Sequence, residues 1–502
     1  MKPSTQSLEA PGDVTRPPVG EPPRNRSWPA RHAWALVCVG LVAFSTALVV
    51  WAGTSPGFDP YGWLVWGYQT MHLNLNLGGA PSWKPVTFLF TVPYSLFGHL
   101  SWWLWTITSV SISLGAPIVA GRIVYRIVRE GSDARWPAIT GAVFAGAAIL
   151  GIYQYFHYIL SAQSDPMLVT FFLLAIDTHM CGRSRWAFAF LWLCSLGRPE
   201  TWPFLGLYTL WAWREVPSMR IMMVVGLLLI PFLWFGIPVL SGNPPFVAGQ
   251  LAQKSPRELH GNRIIGVLGR FKHLSYWPVI AAAGIGLVLA AMRRNWTVLA
   301  IGAMSAIWVF TEIAFSLHGW AAVPRYIFEA GATMMLVAGV AVGWILDGTR
   351  RLAPAPRIGG IALVAVLVGV LVPDAIAAIR AERHDLTHER ARTTEIHRLD
   401  AALTALGGYR LVRFCGDPSA DVEWVSILAW YTKLDVGYVG HRPLFQIRVV
   451  RKPMVLFTPL PNGWVVHTWY IPAARRAACA GMSNAYYVVT PRHPGGVLLH
   501  RP

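Results

Sequence analysis

The sequence predicts a mainly α protein: a polytopic transmembrane helical bundle followed by a small extracytoplasmic α/β domain. Three observations lead there. Of 502 residues, 54% are hydrophobic and only 13% charged, about half the charged share of an ordinary soluble domain. Apolar runs long enough to approach the roughly 20 residues of a membrane span recur up to residue 379. Basic residues collect in alternate connections between those runs, the asymmetry of a multi-pass protein.

Taken in order, residues 1–31 are rich in Pro, Ser, Glu and Arg and lack an apolar core. They read as a disordered cytoplasmic tail, and not as a signal peptide, since the first apolar run starts late and has no small-residue cleavage pattern after it. The transmembrane domain takes residues 32–380. Its candidate spans are 33–52, 101–125, 136–156, 167–181, 186–197, 200–213, 220–240, 276–292, 297–316, 327–346 and 358–379, about eleven in all. The fifth and sixth are short and meet at Arg198-Pro199-Glu200, as two tilted half-spans or a re-entrant hairpin would. Residues 53–100 form a long outer loop. Trp63, Leu64, Trp66, Gly67 and Met71 fit one side of a helix lying in the membrane interface, and 84–97 fit a second helix opened by Lys84-Pro85. Residues 381–502 form the outer domain: an amphipathic helix over 385–406, a helix over 421–434, and strands at 409–414, 453–457, 464–470, 485–490 and 496–499.

Arg122, Arg126, Arg129 and Arg135, then Arg183 and Arg185, Arg214 and Arg220, Arg293 and Arg294, and Arg350, Arg351 and Arg357 fall on one side if the spans alternate. That side is cytoplasmic. The protein is therefore expected in the plasma (inner) membrane, with a cytoplasmic N-terminus and an extracytoplasmic C-terminal domain. The net charge of +18 needs no nucleic-acid partner, because the basic residues sit between apolar runs and in the tails rather than on one soluble face. The 25 Trp suit membrane interfaces. An outer loop runs against the rule with Lys254, Arg257, Arg263, Arg270 and Lys272, and a demand for positive charge there explains it; anionic lipid headgroups are an equal candidate for its ligand. Of the five cysteines, only Cys415 and Cys479 lie in the outer domain. An oxidising exterior allows them to pair, or they remain two buried thiols. No CxxC or His/Cys ligand cluster is present in the sequence, which argues against zinc, and no metal site is assigned.

Between Arg31 and Arg122 the only full charges are Asp59, in Gly57-Phe58-Asp59-Pro60, and Lys84, in Ser82-Trp83-Lys84-Pro85. Charges kept alone beside a membrane are costly and therefore point to function. Further along the outer side come Arg198-Pro199-Glu200, Ser241-Gly242-Asn243-Pro244 and Arg325-Tyr326. In this order and on this shared side, over roughly residues 33–380, they resemble the GT-C superfamily of membrane glycosyltransferases that use polyprenyl-phosphate sugars. The resemblance implies a catalytic base in the first outer loop, which Asp59 matches. It also matches Lys84-Pro85 to a Lys-Pro element, although relatives often carry a second Pro where this chain has Val86.

The implied reaction moves a sugar from a polyprenyl-phosphate donor to an envelope glycan, lipid or protein acceptor, with inversion; the breadth of the family points to mannose or arabinose. A base must take the acceptor proton, and a carboxylate suits that task. Asp59 is the candidate, with helix capping before Pro60 as the structural alternative. The phosphate leaving group needs cations, for which Lys84, Arg198, Arg325 and Arg263 are candidates, Arg gripping two oxygens where Lys is a point charge. Arg198 alternatively pairs with Glu200 or Asp165, and Arg325 alternatively snorkels to the interface. Asp165, His157, Glu200 and Tyr326 are candidate substrate contacts; for Asp165 capping before Pro166 is the stronger alternative. No cofactor is certain, and a divalent cation held by Asp59 and Asp165 is one possibility. Two other classes compete: a transporter or flippase of a lipid-linked sugar, which would place polar groups at bilayer depth and often shows an inverted repeat, and a non-catalytic envelope scaffold.

Overall fold

A computed structural model describes residues 32–80, 82–253, 257–350, 354–440 and 452–500. The expected tail 1–31, Lys254 and Arg351 lie outside these residues. The helices are α1 (Ala33–Ala52), α2 (Phe58–Met71), α3 (Pro85–Tyr94), α4 (Ser101–Ser113), α5 (Gly115–Glu130), α6 (Trp136–Leu150), α7 (Tyr155–Leu160), α8 (Asp165–Met180), α9 (Ser184–Gly197), α10 (Trp202–Glu215), α11 (Pro217–Leu240), α12 (Val247–Ala252), α13 (Arg263–Lys272), α14 (Trp277–Met292), α15 (Trp296–Leu317), α16 (Phe328–Arg350), α17 (Pro354–Ala405), α18 (Gly408–Cys415) and α19 (Val425–Thr432).

Every expected span contains a helix, but that over 136–156 stops at Leu150, and not every one is long. Among the described residues six helical runs are long and apolar enough to cross a membrane, and α13 with α14, bent by 96°, makes a seventh if counted as one span. The other four, α6, α8, α9 and α10, have 14 to 16 residues. At 1.5 Å per residue such helices reach about 21–24 Å, short of the ~30 Å hydrocarbon core. Three of them carry Pro at the start, which limits extension in that direction.

The bundle is arranged around α16, which is buried on nearly all sides, as befits a helix apolar around its whole circumference. It packs on α6, α14, α15 and α5. The α6 crossing depends on glycine: a Cβ at Gly141 would lie 2.5 Å from the Gly339 carbonyl oxygen, and one at Gly339 would lie 2.7 Å from that of Gly141. Small residues let membrane helices approach this closely. By contrast α1 and the first half of α17 expose Val39, Val42, Phe44, Val366, Val368 and Val372, apolar surface that suits lipid.

Three local expectations are corrected. Helix α2 forms, but it is not one-sided on a membrane surface: Pro60 through Gly67 are all buried, packed against α3 and, from the C-terminal part of the chain, α19. The apolar side chains that suggested an interfacial stripe surround the helix because it has protein on both sides. The expected strand over 409–414 is helix α18; Val412 and Cys415, three apart, are its buried residues, a helical spacing that the short apolar run concealed. The amphipathic segment over 385–406 is not a separate helix but the end of α17, which runs unbroken for 52 residues, through Pro373 and through residue 380.

The sheet has the order β1 (Asp417–Ser419), β2 (Met454–Leu460), β3 (Gly463–Trp469), β4 (Ala485–Thr490), β5 (His493–His500). Strands β1 and β2 are parallel; the remaining pairs are antiparallel. Cys415, at the end of α18, is disulfide-bonded to Cys479.

Candidate active site

Helices α2, α3, α8, α10 and α16 begin, and α9 ends, around one group of charged side chains. Asp59 stands in the first turn of α2, Lys84 immediately precedes α3, and Asp165 opens α8. Arg198 and Glu200 occupy the break between α9 and α10; Arg325 and Tyr326 sit on the turn that leads into α16.

Asp165 is at the centre and fully buried. Lys84 Nζ lies 3.1 Å from Asp165 Oδ1 and donates to Ser164 Oγ at 2.9 Å. Arg198 Nη2 donates to the same Oδ1, and Arg325 Nε faces Oδ2 at 3.8 Å. Arg325 also donates from Nη2 to Asp59 Oδ2 at 3.0 Å, so one guanidinium spans both acids. Arg198 Nη1 reaches Glu200 Oε1 at 3.3 Å, and its guanidinium stacks 3.8 Å from the centre of the Tyr326 ring. A buried cation needs such partners, because desolvation alone would cost several kcal/mol per ion. Burial lowers the Lys84 ammonium to about 8, even against the opposing pull of Asp165.

The local chain explains the convergence. Gly57 donates its N–H to the Ser161 carbonyl at 2.9 Å, and a Cβ on Gly57 would lie 2.9 Å from Gln163 Nε2. The segment leading to Asp59 is thereby held against the segment leading to Asp165. Ala162 and Ala322, each three residues before a site charge, have φ of +54° and +48°. Left-handed backbone at a residue with a side chain costs energy and concentrates at functional sites. Trp63 Nε1 donates to the Ser82 carbonyl at 2.7 Å, and its ring lies under Lys84 at 5.6 Å.

Several sequence-based expectations change in this light. Neither acid caps a helix: Gly57 and Ser164 hold the N-cap positions, and neither cap is closed by a side chain. Asp59 and Asp165 do not face each other across space for a shared cation, since Arg325 stands between them. Arg198 makes both internal pairs, with Asp165 and with Glu200. Two candidates stand outside the cluster. Arg263 pairs with Glu258 and donates to the Leu317 carbonyl at 2.9 Å; its helix is positioned by α15, not by α8. His157 bonds Asp385 of α17 at 2.8 Å.

Other residues belong here although their roles were not foreseen. Tyr158 lies 5.5 Å from the Arg325 guanidinium. Glu312 and Glu329 are buried within electrostatic reach of Arg198 and Glu200. Glu312 had the same signal as Asp59 and Lys84, being the only charged residue of the 22 in α15. It lies five residues from the end of that helix, within electrostatic reach of Glu200 and Arg198.

No protein-family model matches the chain, and no curated protein matches it. Solved structures similar to it include two of one protein. One is ArnT from Cupriavidus metallidurans bound to undecaprenyl phosphate, 15% identical, with 91% of this chain and 96% of that one covered at a TM-score of 0.49. The other is ArnT from Cupriavidus metallidurans in the apo state, 14% identical, with 92% and 97% covered at a TM-score of 0.48.

Proposed function

We propose that this chain is a GT-C-type membrane glycosyltransferase that takes a sugar from a polyprenyl-phosphate donor, with Asp59 as general base. One observation carries the reading: Asp59, Lys84, Asp165, Arg198 and Arg325, from five separate segments, meet in one cluster at one end of an apolar bundle. Asp59, Lys84, Arg198 and Arg325 are among the residues whose order resembles that superfamily. An acid beside several cations, at a membrane boundary, is what transfer from a lipid phosphate requires.

In this reading the acceptor hydroxyl gives its proton to Asp59 while its oxygen attacks the anomeric carbon. The bond from that carbon to the phosphate oxygen breaks, and polyprenyl phosphate leaves with the electron pair. Arg325 couples the two events. When the donor phosphate draws the guanidinium, Asp59 loses a stabilising partner and becomes a better base. Lys84 supplies a further charge for the leaving group, while Asp165 holds Lys84, Arg198 and Arg325 in register. Arg198, stacked on Tyr326 and paired twice, acts chiefly through the position it gives Asp165.

The cysteines support the proposed orientation. Helix α2, which carries Asp59, packs on α19 of the part of the chain that holds the Cys415–Cys479 bond. Disulfides persist in oxidising compartments, which supports an outer-side position for the cluster and for the C-terminal domain from residue 381; with the short helices counted, the proposed number of crossings is about eleven. The acceptor is then a glycan, lipid or protein of the envelope.

The test is consumption of a labelled polyprenyl-phosphate sugar by the purified protein, for which mannose and arabinose are the first donors to offer. Asp59→Asn is expected to lower turnover by roughly 10²–10⁴ while the protein stays folded. Retention of near-original turnover would remove Asp59 as base; absence of consumption of any such donor by the unmodified protein would remove the enzyme reading.

A further inference from the structure

Away from the charged cluster, α17 makes a second constellation with α7. His157 Nδ1, Asp385 Oδ2 and a carboxylate oxygen of Glu389 lie within 4.8 Å of one another, half-buried. Asp385 and Glu389 are four apart and so share one face of α17, while His157 comes from the opposing element. We propose that these three side chains form a divalent-cation site that ties α17 to α7.

The chemistry fits a borderline ion. One imidazole nitrogen with two carboxylates suits Zn²⁺, or Mn²⁺, better than Ca²⁺, which prefers oxygen alone. Around a tetrahedral ion bonded at ~2.1 Å, ligand atoms sit about 3.4 Å apart. The observed spread of no more than 4.8 Å and the 2.8 Å His157–Asp385 contact bracket that value. Three protein ligands leave a position for water. Glu389 also accepts from Arg392 through Oε2, at 2.6 and 3.0 Å. That guanidinium orients the carboxylate, in the manner of groups that support a metal ligand from outside.

What the site would brace is visible in the same stretch of α17. Arg392 donates to the carbonyls of Ser55 and Pro56 at 2.9 and 3.1 Å, Arg390 to those of Trp51 and Ala52 at 2.8 and 2.7 Å, and Ser55 N donates to Thr393 Oγ1 at 2.7 Å. These bonds hold the segment that leads to Asp59. The cation would hold α7, which leads to Ser164 and Asp165 and carries Tyr158 beside Arg325. The ion is thus structural in role, one residue along α7 from Tyr158. Binding itself does not rest on the glycosyltransferase reading; only its effect on turnover does.

The test uses the full chain purified in detergent and stripped with chelator. Titration with Zn²⁺ is expected to show one tight equivalent and a rise in thermal midpoint, Mn²⁺ to bind more weakly, and Co²⁺ to give visible d–d absorption in the unmodified protein. His157→Gln and Asp385→Asn are expected to abolish the Co²⁺ absorption and weaken Zn²⁺ binding at least tenfold, with Glu389→Gln weaker in effect. Two outcomes overturn the proposal. One is no saturable binding by the unmodified protein, which leaves His157 and Asp385 as an ion pair only. The other is binding that survives His157→Gln and Asp385→Asn but is lost in a His384→Gln/His388→Gln double variant. Those two exposed imidazoles, with Nε2 atoms 3.3 Å apart, are the competing ligands nearby. If a chain that binds Zn²⁺ shows no sugar transfer, the function falls and the metal site stands.

Discussion

Lys84 is the residue with the sharpest consequence. Its ammonium is lowered to about 8 by burial, with Asp165 pulling the other way. The protonated form is the one that binds a phosphate, so its fraction falls as pH rises through that value. Donor KM is therefore expected to rise above pH ~8, while kcat changes less. Lys84→Arg keeps a cation that does not titrate in this range and is expected to flatten that alkaline limb, at some cost in affinity at pH 7. A pH profile of the variant that still bends near 8 would assign the titration to another group. Arg325 has no such freedom: it pairs Asp59 at 3.0 Å and faces Asp165 at 3.8 Å, so its loss removes the guanidinium paired with Asp59, while Asp165 keeps Lys84 and Arg198.

At the scale of elements, two contacts decide whether the cluster assembles. The α6–α16 crossing relies on the absence of side chains at Gly141 and Gly339. Gly141→Ala is expected to cost about 1–3 kcal/mol by forcing these helices apart, read as a lower thermal midpoint in detergent. Helix α17 works differently, as a brace. Arg392→Ala removes charged hydrogen bonds to Ser55 and Pro56, bonds worth roughly 1.5–3 kcal/mol together with their orientation. Turnover is expected to fall by about tenfold or more, with a smaller change in donor KM, because the segment carrying Asp59 loosens while the phosphate contacts stay. Equal loss of thermal stability and activity would instead mean that the bonds merely hold the fold.

At the scale of the whole molecule, the C-terminal sheet and the bundle are joined by covalent and packed connections. α17 runs unbroken from one to the other, and α19 lies against α2. The Cys415–Cys479 bond closes a separation of 64 residues around β1, α19, β2 and β3. Reduction is expected to destabilise this part by about 2–5 kcal/mol, seen as a separate early unfolding step ahead of the bundle. In sealed right-side-out vesicles these two thiols are expected to accept an impermeant maleimide only after an impermeant reductant. Labelling from the opposite side alone would invert the proposed topology.

Sequence by itself determined the helical membrane character, the position of nearly every helix, and the short list of unusual charges. Those properties are local: apolar run length, Pro at helix starts, and an acid or base isolated in apolar sequence all act through nearest neighbours along the chain. Asp59 and Lys84 stood out for that reason, and Glu312 carried the same mark within α15. Only the tertiary structure decided that Asp59, Lys84, Asp165, Arg198 and Arg325 meet while Arg263 and His157 do not. It alone turned α2 from a surface helix into a buried one and converted the strand expected at 409–414 into α18. Each of these outcomes depends on which elements come to lie side by side. The close approaches at Gly57, Gly141 and Gly339 and the reach of α17 set that arrangement, through contacts between residues far apart along the chain.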